Sequence, residues 1–157
     1  MKSTFVKGSI AVTILVVLVC FLSCKKSTNV SVKSEFTWNY NGKSYTANID
    51  SAFISSMSTG PILIASIGNN FRLTATSLQI SVHSFAVGTY SFGTSTTNGI
   101  LYVDELGFGW DAKTGSLNIT ENTGTRLSGH FSVMVTNGPC TITVPLSGTF
   151  KNVGISL

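Results

Sequence analysis

The chain has 157 residues, with ten Lys or Arg against six Asp or Glu, and its formal net charge is +4. Half of the basic residues lie at or before Lys33, whereas the part from Ser34 onward carries five basic and six acidic side chains. A nucleic-acid-binding domain needs Lys and Arg clustered on its folded part, so this distribution excludes nucleic acid as a partner.

The first 24 residues have the three parts of a bacterial export signal. Two lysines supply a positive start, residues 10–22 form an apolar run, and the small Ser23 precedes Cys24. A transmembrane helix needs about 20 apolar residues, so this shorter run is more typical of a cleaved signal. We therefore predict a signal peptide over residues 1–23 and acylation of Cys24, for example with palmitate.

Three further features follow from this interpretation. Cys20 is the alternative acylation site, but the residue before it, Val19, is larger than the small residue that cleavage prefers. Residues 24–34 are rich in Lys, Ser, Thr and Asn and predict a flexible, lipidated tether. Residues 35–157 suffice for one domain with its own core. We expect this domain at the cell envelope, anchored by its N-terminal lipid to the outer membrane, on a face that the sequence leaves undetermined.

Residues 36–47 contain the clearest local structural signal. Asn41-Gly42 separates two segments of alternating side chains, and this dipeptide favours a type I′ turn, in which both residues have positive φ. A two-residue turn places Trp38 opposite Tyr45. The sequence therefore predicts a hairpin with one aromatic face and one polar face, as in a sheet that covers a core from one side.

Short segments rich in alternating or β-branched residues follow the hairpin, separated by Gly and Asn turns. The predicted strand segments are 62–67, 71–76, 78–82, 100–104, 117–120, 127–131 and 146–150. Nine or ten short strands with polar turns are typical of an antiparallel β-sandwich, which is our fold prediction for this all-β chain, with a β-barrel as the alternative.

The pentapeptide Leu-Ser-Gly-x-Phe occurs twice near the C-terminus, at 127–131 and at 146–150. Alternation along a strand places the Leu, Gly and Phe of each copy on one face. Pro145 directly precedes the second copy and argues for an edge strand or a bulge there, since proline cannot donate to a sheet ladder.

Several of these motifs form a recognisable set. The opening FTWNYNGKSYTA, the VGTYSF at 87–92, and the closing GSLNIT, RLSGHFSV and PLSGTF segments resemble small uncharacterised lipoproteins of the Bacteroidota over residues 36–150. Residues 21–24 are also similar to the lipobox of lipoproteins, with Phe21 where Leu is usual. The resemblance implies an all-β envelope domain and supplies no catalytic residues. Asp50-Ser51-Ala52 is similar to an O-glycosylation site of that group, with Ser51 as the acceptor.

Residues 102–111 hold three acids and three aromatic residues in a Gly-broken stretch. Aromatic faces stack on sugar rings and carboxylates accept sugar hydroxyl protons, so this segment is our candidate ligand-binding site. The candidate residues are Tyr102, Asp104, Glu105, Phe108, Trp110 and Asp111. Two alternatives stay open: the acids could bind Ca²⁺, or the segment could be a strand and a solvated loop whose aromatic residues pack on the core.

The chain lacks the common catalytic motifs, with no Gly-x-Ser-x-Gly elbow and no P-loop. Its two His residues lack zinc-site spacing. We therefore expect a non-enzymatic domain, without catalytic residues, metal or cofactor, that binds a partner such as a glycan or an envelope protein. A barrel-like carrier of a small hydrophobic molecule is one alternative, based on the apolar runs 62–67 and 142–146. An accessory glycan hydrolase is the other, and it needs two carboxylates to converge from the set Asp104, Glu105, Asp111 and Glu121.

Overall fold

The computed structural model describes residues 33–54, 60–67, 76–138 and 142–156. The predicted signal peptide, Cys24 and the tether up to residue 32 lie outside this part of the chain, as does the predicted strand over 71–76 except for its last residue. The described residues form ten β-strands and no helix, which confirms the all-β prediction. The strands are β1 (Glu35–Tyr40), β2 (Lys43–Thr46), β3 (Ile49–Ile54), β4 (Pro61–Ser66), β5 (Ser77–Ser81), β6 (Gly88–Phe92), β7 (Gly99–Val103), β8 (Gly109–Asn122), β9 (Arg126–Thr136) and β10 (Thr143–Ser156).

The opening hairpin forms as its turn dipeptide requires. Asn41 and Gly42 have φ angles of 48° and 80°, and the register pairs Trp38 with Tyr45. Their rings stack with centroids 5.6 Å apart. Both rings are buried, whereas the side chains between them along β1 and β2 are half-buried or exposed. The predicted hairpin, its register and its aromatic face are therefore confirmed.

The strands pair into one sheet that curls so that its hydrogen-bonded neighbours form a ring. The two longest strands make this possible because each changes partner along one edge. β10 pairs first with β1 and then, in parallel, with β3, while β8 pairs first with β7 and then with β6. β9 lies between β8 and β10. The ladder β10-β3-β4-β5-β7-β8-β9 thus returns to β10, with β2-β1 and β6 as branches.

This curled sheet surrounds a single core, which is consistent with the predicted sandwich and with the alternative barrel. We call β2-β1-β10-β9-β8-β6 the front layer and β3-β4-β5-β7 the back layer. Tyr40 on β1 and Tyr102 on β7 meet across the interior, with ring centroids 4.6 Å apart. The core fills the space between the layers, and its largest fully buried side chains include Trp38, Tyr102, Phe36, Phe131, Leu63, Leu78, Ile80, Leu117, Leu127 and Leu146.

The two Leu-Ser-Gly-x-Phe copies pair with each other on β9 and β10. Phe131 lies opposite Gly148, and Phe150 lies opposite Gly129. A Cβ added to Gly148 would lie 2.6 Å from the Phe131 ring and 2.5 Å from the carbonyl oxygen of Thr37, and one added to Gly129 would lie 2.5 Å from the Phe150 ring. Each glycine therefore leaves the space that the Phe of the other copy occupies. Both Leu and both Phe residues are buried, which confirms the predicted shared face.

β10 as a whole is an interior strand between β1 and β9, but Pro145 lies one residue beyond Leu146, the last residue that pairs with β1, so at Pro145 only β9 pairs with β10. Pro145 is tolerated because β1 ends beside it: the amide of Asn41, in the hairpin turn, donates to the Pro145 carbonyl. In an antiparallel pair, the nitrogen and carbonyl of one residue point to the same side. The proline nitrogen therefore faces the turn, where no ladder bond is needed. The register shift of β10 comes later, between Phe150 and Val153.

Replacing Gly148 with Ala should lower the free energy of unfolding by about 1–3 kcal/mol, as overpacking of a filled core usually does. The added methyl group would collide with both the Phe131 ring and the backbone of β1. Urea unfolding measures the change. Gly154→Ala on the same strand is the control, since no atom lies within 4 Å of its added Cβ. Equal losses in both variants would contradict the reciprocal packing.

Candidate functional site

The loop between β7 and β8 is organised by one carboxylate. The Oδ1 atom of Asp104 accepts hydrogen bonds from the backbone amides of Leu106 and Phe108, both at 2.9 Å. Its Oδ2 atom accepts the indole N–H of Trp110 at 3.0 Å. The Asp104 amide in turn donates to the Phe108 carbonyl at 3.0 Å. The Gly107 amide donates to the Asp104 carbonyl at 3.0 Å as well. These five hydrogen bonds hold the loop in one shape, and the three to the carboxylate are the strongest because they are charge-assisted.

Aromatic rings from the opening hairpin support the base of this loop. Tyr40 contacts Tyr102 and also Trp110, whose ring centroid lies 5.5 Å away. Tyr102 is fully buried, and neither its hydroxyl nor the indole N–H of Trp38 has a hydrogen-bond partner among the described residues. These two rings therefore contribute to the core mainly through packing.

Two tyrosine hydroxyls in this cluster titrate abnormally. Burial, with the nearby Asp104 charge and Tyr45, raises the pKa of Tyr40 to about 12. Burial also raises the pKa of Tyr102, and the Tyr45 hydroxyl contributes in the same direction. Both hydroxyls are therefore held in their neutral form near the loop.

An ion pair joins the loop to the hairpin at the surface. Lys43 at the start of β2 donates to Oε1 of Glu105, and both side chains are more than half exposed. This hydrogen bond is the main cause that raises the pKa of Lys43. Exposed pairs contribute little to stability, so its main consequence is to place a matched charge pair at the edge of the loop.

Three large apolar side chains are exposed at this end of the molecule. Leu106 and Phe108 on the loop are 81% and 55% exposed, and Ile142 before β10 is 66% exposed. Ile142 belongs to the same end because its carbonyl accepts the Thr136 hydroxyl, and Thr136 lies in register with Asp111 near the start of β8. We call Leu106, Phe108 and Ile142 the tip surface.

The predicted ligand-binding residues differ in how deeply they are buried. Tyr102 is part of the core, Asp104 holds the loop, and Trp110 is half-buried against Tyr40. The exposed members are Glu105, Phe108 and Asp111. Sequence analysis missed Leu106 and Ile142. The sequence signal for Leu106 is an apolar residue directly before the loop glycine, Gly107, whereas Ile142 lies in the apolar run 142–146 and carries no signal of exposure.

A shallow, open concavity of about 430 Å³ lies on the outer face of the front layer. His130 and Thr149, which line it, also line a second open concavity of about 490 Å³. We call the first concavity the outer groove. Its exposed or half-buried lining side chains are Thr37, Asn39, Ser44, His130, Ser147 and Thr149.

The described residues include no group of three or more His, Cys, Asp or Glu side chains that could hold a metal ion. Over the same ranges, no helix is long and apolar enough to cross a membrane. The backbone of Ser51, the predicted glycosylation acceptor, lies in β3 opposite Ile64, and its side chain is outside the described set.

A family model described as a domain of unknown function (DUF6252) matches residues 32–154. This range includes the hairpin, the loop between β7 and β8, and both Leu-Ser-Gly-x-Phe copies. Neither the curated proteins nor the solved structures include a match to this chain.

Replacing Asp104 with Ala should release the loop without unfolding the domain. The amides of Leu106 and Phe108 should then exchange with solvent about tenfold faster, since each loses a charge-assisted hydrogen bond of about 1.5 kcal/mol. Hydrogen exchange followed by NMR measures this change. The Gly42 amide, which donates to Oδ1 of Asn39, is an internal reference, and Asp111→Ala is the control variant. Unchanged exchange at both loop amides would refute the role of Asp104.

The raised pKa of Tyr40 predicts a loss of stability at high pH. Its folded-state pKa of about 12 exceeds the ordinary value of 10.0, so between these values the folded chain binds more protons than the unfolded chain. The free energy of unfolding should therefore fall as the pH rises through this window. Tyr40→Phe should flatten the decline, and Tyr102→Phe should act in the same direction. Urea unfolding from pH 9 to pH 12 measures the slope; an unaltered slope in Tyr40→Phe would contradict the prediction.

Proposed function

We propose that this chain, which belongs to the family of the domain of unknown function DUF6252, is a lipid-anchored protein of the cell envelope whose β domain works by non-covalent binding. The anchor is the acyl group on Cys24, added after removal of residues 1–23. The support for the anchor is the sequence itself: the lysines, the apolar run over 10–22 and the small Ser23 before the cysteine. The outer membrane is the proposed location.

The observation that carries the binding half of this proposal is the exposure of Leu106 and Phe108 on a loop that Asp104 holds in one shape. Exposed apolar side chains cost hydration free energy, and their clustering at one place is typical of interaction sites. A loop that is already ordered loses little further entropy when a partner binds. The loop is therefore better suited to present its side chains than to close over a substrate.

The positions of the four candidate carboxylates favour binding over glycan hydrolysis. Both oxygens of Asp104 already accept hydrogen bonds within the loop, and Glu105 pairs with Lys43. Asp111 and Glu121 pair with Thr136 and Ser128, which lie eight residues apart on β9, a separation of about 27 Å along an extended strand. A glycosidase needs its two carboxyl groups within about 5–9.5 Å. The hydrolase alternative therefore has little support among these residues.

The carrier alternative also has little support from the packing of the described residues. Leu63 and Ala65, in the first apolar run, are fully buried within the main hydrophobic core. Leu146, in the second run, is likewise buried in this core. The same core holds Trp38 and Tyr102, so the buried members of these runs pack against other core side chains.

A second candidate function is the binding of an extended polar chain, such as a glycan, in the outer groove. The observation that favours it is the lining, in which hydroxyl, amide and imidazole groups offer both donors and acceptors. Two pairs already bond to each other, Thr37 with Thr149 and Asn39 with Ser44. Such bonds are weak enough to be exchanged for bonds to sugar hydroxyls.

One experiment in cells tests both halves of the main proposal. Phe108 is replaced by the photoreactive p-benzoylphenylalanine in cells that are fed labelled palmitate. We expect the label on the protein and, after irradiation, a covalent adduct. Cys24→Ala should abolish both, whereas Cys20→Ala should retain both, because only Cys24 follows a small residue.

The control for the adduct is the same photoreactive residue at Val87, which is 61% exposed and precedes β6 at the other end of the molecule. Palmitate label that survives Cys24→Ala would overturn the anchor. No adduct from position 108, or the same adduct from position 87, would overturn the role of the loop in binding.

A further inference from the structure

We infer that the tip surface contacts the lipid bilayer itself, with Leu106, Phe108 and Ile142 entering the headgroup region of the membrane to which the chain is anchored. This inference rests on the proposed lipid anchor at Cys24 and names the partner of the proposed binding surface. Its consequence is a preferred orientation of the domain, in which the loop between β7 and β8 faces the bilayer.

The apolar side chains of the tip surface and the aromatic rings behind it are arranged as in proteins that contact a membrane interface. Leu106, Phe108 and Ile142 are exposed apolar groups, and the half-buried rings of Tyr40 and Trp110 lie at the base of the loop. Tyrosine and tryptophan prefer the level of the lipid headgroups, because their rings are apolar and each carries one polar group. Within the headgroup region, Leu106, Phe108 and Ile142 would therefore lie on the acyl-chain side, and the rings of Tyr40 and Trp110 would lie nearer the water.

The charges near the tip surface are largely compensated within the protein. The carboxylate of Asp104 accepts three hydrogen bonds, and Glu105 is paired with Lys43. Removing water from an unpaired charge costs much free energy. The paired charges of the loop avoid this cost when the loop approaches a bilayer. Asp111 is exposed but lies two residues behind Gly109 on β8, about 7 Å further from the loop.

The size of the tip surface favours a bilayer over a protein. A stable protein interface takes about 800 Å² from each partner, whereas even a large aromatic side chain buries only about 150–250 Å². Three partly exposed side chains fall short of that requirement. A bilayer contact needs fewer groups, since the lipid chain already holds the protein at the membrane and each inserted side chain adds to it.

The length of chain between the anchor and the domain permits this orientation. Glu35 lies at the end of β1 away from the hairpin turn, so it lies about 17 Å from the tip end along the strand. Ten residues separate Cys24 from Glu35, and they can span at most about 35 Å. These ten residues are therefore long enough to connect Cys24 at the bilayer with Glu35 at the far end of β1.

The test uses the acylated protein in phosphatidylcholine vesicles that carry a nitroxide lipid as quencher. A single cysteine introduced as Leu106→Cys, with Cys140→Ser to remove the other free thiol, carries an environment-sensitive fluorophore. We expect a blue-shifted emission and several-fold stronger quenching than at Val87→Cys, an exposed apolar position at the opposite end. Thr149→Cys in the outer groove is a second control.

Each outcome has a definite meaning. Equal quenching at positions 106, 87 and 149 would overturn the inference, as would a fluorophore at 106 that is shielded from water but not quenched by lipid, since that result indicates a protein partner. A chain that acquires no acyl group overturns the proposed anchor, and the inference with it. An acylated chain without selective quenching overturns the inference alone, so the two failures are distinguishable.

Discussion

Two phenylalanine rings lie in the spaces left by two glycines, and this contact fixes the register on which the other strand pairings depend. Phe131 faces Gly148 and Phe150 faces Gly129 across the β9–β10 ladder. The arrangement pins the register of the two strands, because a shift of one residue would move each ring onto the polar face. β10 can then pair with β1 and β3, and β9 with β8, so the closure of the curled sheet depends on this register.

A row of aromatic side chains in contact connects the β9–β10 ladder to the loop between β7 and β8. Phe36 stacks on Phe150 at 5.7 Å and contacts Phe131 at 6.3 Å. The inward side chains then follow β1 to Tyr40, which meets Tyr102 and Trp110. Trp110 bonds to the carboxylate that shapes the loop. The exposed apolar side chains of the tip surface are therefore presented by a rigid scaffold that begins in the core, as precise positioning requires.

The loop illustrates why residue types alone do not identify a binding site. Three acids and three aromatic residues in one short stretch suggested ligand contact, yet Tyr102 and Trp110 serve mainly as support and Asp104 serves as the acceptor for the amides of its own loop. A carboxylate can bind a ligand or satisfy the backbone around it. The choice depends on where the loop amides point, and this follows from the folded geometry.

The sequence by itself determined the features that depend on neighbours along the chain. The Asn41-Gly42 turn set the hairpin and its register, and period-two alternation set the buried face of both Leu-Ser-Gly-x-Phe copies, because turn dihedrals and strand alternation are local properties. Only the tertiary structure decided that the two copies face each other, that Pro145 lies beside the end of β1 in an interior strand, and that Leu106 is exposed while Tyr102 is buried. These outcomes depend on which strands become neighbours, and that choice is made by long-range pairing and core packing, which local patterns leave open.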